Sequence, residues 1–230
     1  YDQKIKYANA AIEEPRKNNK KECKVSATDP LASSLINLGE LNGGFKLFAE
    51  GREVIMEALD NNPNFDIANS AYSFIGNYMS SLLRANRLEE AAKMITDLQH
   101  INKIMEEIDV NMDGAVEFRQ INTYGLLIEY YSKIGNKKEA DKYLAEIMKS
   151  KLVSSLFVET ILSEHYYNIK DLKNLAKVTR RIRQNVIATN DTISELFIEN
   201  VLEYEKFIYK EQGNYREALA KAETIKNLQD

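Results

Sequence analysis

Residues 124 to 148 read YGLLIEYYSKIGNKKEADKYLAEIM. An apolar stretch at helical spacing runs to Ile134, a short polar turn follows, and acidic and basic residues lead through Ala140 into a second apolar stretch. This is the pattern of two amphipathic helices joined as a hairpin. A small residue at Ala140 lets the two helices approach closely, and Leu144 and Ile147, four and seven residues on, extend the buried stripe.

The arrangement returns along the chain. In NYMSSLLRANRLEEAAKMITDL (77 to 98), Ala91 takes the small position and Ile95 and Leu98 follow it; in YEKFIYKEQGNYREALAKAETI (204 to 225) the small residue is Ala218. From Leu35 to Pro63, Leu35, Leu38 and Gly39 read as first helix, Gly51, Ile55 and Ala58 as second helix, and Pro63 closes the unit. A further copy runs from Phe157 to about Ile182, with its turn near Lys170 and Asp171 and Leu175 in the small place. The small positions 51, 91, 140, 175 and 218 are unevenly spaced, so longer helices or loops are inserted between units.

These segments resemble tetratricopeptide repeats, in which helix pairs of about 34 residues stack on their neighbours. The resemblance covers roughly residues 31 to 228 and implies an all-α fold: a right-handed superhelix of about five degenerate antiparallel helix pairs, without strands. It divides the chain into 1–30, an N-terminal helix and connector left from a truncated repeat, and 31–230, the repeat domain. In the first part Ile5, Ala8 and Ile12 share a helical face, PRKNNKKECK is a basic connector, and Asp29 and Pro30 read as cap and first-turn proline of the next helix. In the last copy Glu205 and Lys206 stand where the repeat pattern prefers Leu and Gly, which unsettles its register.

Composition agrees with a helical class. Among 230 residues only 3 are Pro and 9 Gly, and 44% are hydrophobic, enough for a substantial core. A net charge of −4 excludes a global nucleic-acid or anionic-membrane footprint. Cys23 stands alone, without a partner for an intrachain disulfide or a CxxC motif. No apolar run approaches the ~20 residues that span a bilayer, and a chain starting at Tyr1 reads as a processed or excised fragment.

Motifs for chemistry are missing: no phosphate-binding glycine loop, no HExxH and no nucleophile elbow. His100 and His165 read as ordinary helix residues, and the basic run KVTRRIR (177 to 183) as a solvated face whose alkyl stems cover neighbours. No catalytic residue and no enzyme activity are expected. DVNMDGAVEFRQ (109 to 120) resembles an EF-hand calcium loop, with Asp109, Asn111 and Asp113 as alternating oxygen ligands, Gly114 at the bend, the Ala115 carbonyl, and Glu117 beside a water. Its twelfth place is Gln120 instead of a bidentate Glu, and a turn between helices uses the same residue types, so the turn is the favoured reading. The expectation is no cofactor, with a weak calcium site as the lesser alternative.

Ser80, Arg84, Asn122, Glu129, Lys133, Glu164, Tyr167 and Asn168 fall on the face that, in the resembled family, lines the concave groove and meets peptides. Tyr78, Tyr124, Tyr131, Tyr166 and Tyr209 fall on packing faces in the same register. The chain is thus expected to be a non-catalytic ligand-sensing or protein-interaction module, with a protein, peptide or small extracellular ligand as partner and a homodimer left open. The segment from Tyr209 to Asp230 resembles the last repeat of sensor regions in membrane-bound bacterial two-component proteins, which implies a periplasmic or extracytoplasmic setting. A cytoplasmic scaffold or co-chaperone-like adaptor is the alternative.

Overall fold

The computed structural model describes residues 21–108, 115–152, 155–189 and 193–229. The remnant helix expected at 5–12 and most of the candidate calcium loop, 109–114, lie outside the described residues. Within them the chain forms ten α-helices and no strand. They are α1 (Lys21–Asn37), α2 (Leu41–Asn61), α3 (Phe65–Arg84), α4 (Leu88–Glu107), α5 (Ala115–Lys133), α6 (Lys137–Ile147), α7 (Leu156–Asn168), α8 (Leu172–Thr189), α9 (Ile193–Glu211) and α10 (Tyr215–Gln229). The chain divides into two compact units, Tyr1–Val116 and Glu117–Asp230. In the first, α1 packs on α2 and α3, α2 on α3, and α3 on α4; in the second, α7 packs on α8, α8 on α9, and α9 on α10.

Each of five helix pairs closes through the same turn. Gly39, Asn86, Gly135, Lys170 and Gly213 all take positive φ, between 56° and 86°. The next residue's amide, that of Glu40, Arg87, Asn136, Asp171 or Asn214, donates to a carbonyl five residues back at 2.8–2.9 Å. A second bond runs from each left-handed residue to the carbonyl three residues back, which completes a Schellman closure that satisfies the last carbonyls of the first helix. Glycine enters this conformation without strain, whereas Asn86 and Lys170 hold it against the left-handed penalty.

This closure fixes the register. Five residues after each left-handed position stand Gly44, Ala91, Ala140, Leu175 and Ala218, and each amide there bonds the carbonyl four residues back. All five are buried. The small residue of the first pair is therefore Gly44, not Gly51. A Cβ at Gly44 would meet the Ala32 carbonyl and the Ile36 side chain of α1. Leu38 and Gly39 belong to the turn instead of the first helix, and Leu38 is exposed. Gly51 serves another contact, since a Cβ there would run into the Phe74 ring on α3.

Pro30 also differs from expectation. α1 is already helical at Lys21 and carries Pro30 in its interior, so Asp29 does not cap a helix. Its carboxylate instead accepts bonds from Ser33 Oγ on the same helix and Asn77 Nδ2 on α3. Pro30 itself is solvent-exposed.

The first unit's core is aromatic. Phe48 is fully buried, its ring stacked on Tyr78 at 4.9 Å and edge-on to Phe74 at 5.5 Å. In the second unit, Ile121 and Ile128 of α5, Ile147 of α6, Val158 and Leu162 of α7, Val178 and Ile182 of α8 and Val201 of α9 form one cluster. Ala140 and Ala91 are both at 0% exposure. Ala140→Leu therefore overpacks a closed crossing and lowers stability by about 1 to 3 kcal/mol. Chemical denaturation of the variant measures this, and an unchanged midpoint would show that Ala140 is not the point of closest approach.

Candidate functional site

In the second unit, α7, α9 and α10 border a groove of about 700 Å³. Six residues before the left-handed turn position, α5, α7 and α9 carry Glu129, Glu164 and Phe207, so these occupy equivalent places in consecutive pairs. Tyr167, 38% exposed, packs its ring against Phe207 at 4.6 Å and Tyr204 at 5.7 Å. The buried Tyr204 donates its hydroxyl to Glu164 Oε2 at 2.9 Å, while Asn168 Nδ2 donates to Glu164 Oε1. Burial first, and then the charge of Glu164, push the Tyr204 phenol well above its ordinary range, so it stays a hydrogen-bond donor. The wall continues through Lys210 of α9 to Tyr215 and Leu219 of α10, both exposed.

Of the residues expected to meet a ligand, Glu164 and Tyr167 line this groove. Asn168 fixes the Glu164 carboxylate. Glu129 and Lys133 form an ion pair at 3.7 Å on α5, and the charge of Glu129 also acts on the Tyr204 hydroxyl. Asn122 lies further back on α5 and is hydrogen-bonded or otherwise engaged. Ser80 and Arg84 belong to α3 in the first unit, where Arg84 bonds Ser81 Oγ. Sequence reasoning missed Tyr204, Phe207 and Leu219 because the register of the last pair was unsettled. Gly213 in the repeated closure is the signal that would have aligned it.

The tyrosines divide differently from expectation. Tyr78 is buried, whereas Tyr124, Tyr131, Tyr166 and Tyr209 are only half-buried, and the deeply packed tyrosine of α9 is Tyr204. In the second half of the loop resembling a calcium site, Glu117 accepts from Ser150 Oγ at 2.7 Å and the Lys151 amide at 3.1 Å. The Ser150 bond is the main reason its carboxyl lies below the usual range. Gln120 donates its side-chain amide to Tyr124 Oη at 2.9 Å. Both side chains thus have protein partners.

His100 Nε2 lies 2.9 Å from Asp60 Oδ1 on the surface, and His165, 1% exposed, lies with Nδ1 3.0 Å from Ser132 Oγ. Burial holds His165 below the usual imidazole value, against Asp141 and Asp171 and together with Lys137. A depressed native value means that the unfolded chain binds the proton first. Stability contributed by neutral His165 is complete above about pH 6.5 and declines as pH falls through that value. Urea melts between about pH 7.5 and pH 5.5 should show a steeper loss in the native protein than in His165→Gln. Equal slopes would mean that protonation of His165 costs the fold nothing.

No family model matches the chain, and no curated protein matches it. Among solved structures, the fold is similar to that of BtubC (BKLC) from P. vanneervenii, with a TM-score of 0.57 over 99% of this chain and 90% of that one. At 17% identity this similarity shows fold alone: an all-helical, repeat-like arrangement of consecutively packed helix pairs.

Proposed function

We propose that the chain is a non-catalytic, tetratricopeptide-like interaction module that binds a peptide segment in the groove of its second unit. The observation that carries this reading is the aromatic wall of Tyr167, Tyr204 and Phe207 beside the fixed Glu164 carboxylate. Rings of this kind supply large contact area at little entropic cost, and a carboxylate already oriented by two donors can accept from a ligand amine or amide. Glu164 and Glu129 disfavour a ligand that presents a free C-terminal carboxylate, and they support one that brings positive charge.

The resemblance of the C-terminal segment to two-component sensor regions supports an extracytoplasmic sensor as the parent context, with α10 as the element that would pass a change onward. None of the described helices is long and apolar enough to cross a membrane. The test is fluorescence polarisation with a panel of labelled octapeptides that pair aromatic or aliphatic residues with Lys. We expect at least one to bind and to lose about tenfold in affinity on Tyr167→Ala or Phe207→Ala, as anchor truncations do. Binders whose affinity ignores both substitutions would overturn the groove.

A further inference from the structure

α8 and α9 border a second pocket, of about 360 Å³. Glu205 and Tyr209, which line it, lie largely on the opposite side of α9 from Glu203 and Phe207 of the peptide groove. The two sites therefore use different faces of one helix. We propose that this pocket binds a small organic carboxylate with an apolar body.

Charge sets the sign of the ligand. Glu205 is the acid of the lining; Arg183 at 3.2 Å and Lys221 of α10 at 3.0 Å offset the charge at its Oε2 as ion pairs, but neither makes a hydrogen bond to that buried oxygen. Arg180 adds a further guanidinium to the lining; it is exposed and pairs with no acid among the described residues. Positive charge thus exceeds negative at the pocket, and Arg180 is free to take an anion. Its planar fork matches a planar carboxylate through two parallel hydrogen bonds.

Thr179 supplies a second polar feature. It is 2% exposed and lines the pocket, yet its hydroxyl has no hydrogen-bond partner among the described residues. Buried hydroxyls are rarely left so, and a ligand oxygen is the partner that a filled pocket would add. The remaining wall is mixed: Ala176, the buried Ile208 and the half-buried Tyr209 are apolar, and Gln212 adds an amide. An inorganic anion leaves the Ile208 and Tyr209 side of that wall without a partner, whereas an organic acid covers it. Arg180 and Arg183 come from the run KVTRRIR, whose third arginine, Arg181, is engaged elsewhere with Glu159.

The probes are benzoate, inorganic phosphate and benzyl alcohol, each titrated into the full chain by calorimetry. Benzoate should bind, and the other two should bind at least about tenfold more weakly, because one lacks the apolar body and the other the charge. Arg180→Gln should weaken benzoate by about tenfold or more, with Arg180→Lys intermediate, since an ammonium cannot form the fork. Thr179→Val should weaken it, and Thr179→Ser should restore it, which separates the hydroxyl from packing. Lys103→Gln, far along the sequence on α4, should change nothing. Absence of benzoate binding, phosphate binding as tight as benzoate, or full benzoate affinity in Arg180→Gln would each overturn the proposal.

Discussion

Phe48→Ala should lower the free energy of unfolding by about 3 to 5 kcal/mol, the range for truncating a fully buried aromatic side chain. Phe48 is at 0% exposure on α2, and its ring is held by two rings of α3, stacked on Tyr78 and edge-on to Phe74. These partners belong to a different helix, anchored along its length by Ile75, Met79 and Leu82, all at 0%. They cannot follow the shortened side chain inward, so the lost transfer energy is joined by a cavity that stays open. Phe118 provides the contrast. It stacks on Phe157 at 4.6 Å but is 48% exposed, so Phe118→Ala should cost well under half as much. Urea titrations of the two variants measure the difference. Equal midpoints would mean that ring contact, not burial, sets the cost.

The helical class and the pairing of helices were legible because both depend on periodicity, which each segment carries locally. Ala91, Ala140 and Ala218 mark the crossings in the sequence as they do in the structure. Register was less legible where the marker residue is not unique. Two glycines, Gly44 and Gly51, each lie in a close approach on α2, and only the turn at Gly39 decides which belongs to the repeated crossing. Two turns use Asn86 and Lys170 in place of glycine, so the closure that aligns all five pairs has no constant residue to read. The groove was half legible for the same reason. Glu164 and Tyr167 face it by helical position, but Tyr204, Phe207 and Leu219 enter only after the last pair is aligned. The pocket between α8 and α9 depends on side chains from two helices, and KVTRRIR by itself reads as a solvated face.

Arg181 separates the structural part of that basic run from the part assigned to a ligand. Its Nε donates to Glu159 Oε1 at 2.6 Å, and Asn185 Nδ2 donates to Glu159 Oε2 at 3.2 Å. Glu159 is 4% exposed on α7, so this pair ties α8 to α7 around a carboxylate removed from water. Arg181→Ala leaves that carboxylate with Asn185 alone. The cost should be about 3 kcal/mol, the low end for breaking a buried pair, because the Arg181 side chain itself is 42% exposed and water can partly replace it. Removing both charges should cost less, since the double substitution Glu159→Leu with Arg181→Leu leaves no buried charge to solvate and adds apolar contact between the helices. The measurement is chemical denaturation of the native protein, Arg181→Ala and the double leucine variant. Arg181→Ala should be the least stable member, and the double leucine variant should recover much of the loss. If the double variant is as unstable as Arg181→Ala, the cost lies in lost packing of the arginine stem, and Glu159 is not the group that requires a cation at this place in α8.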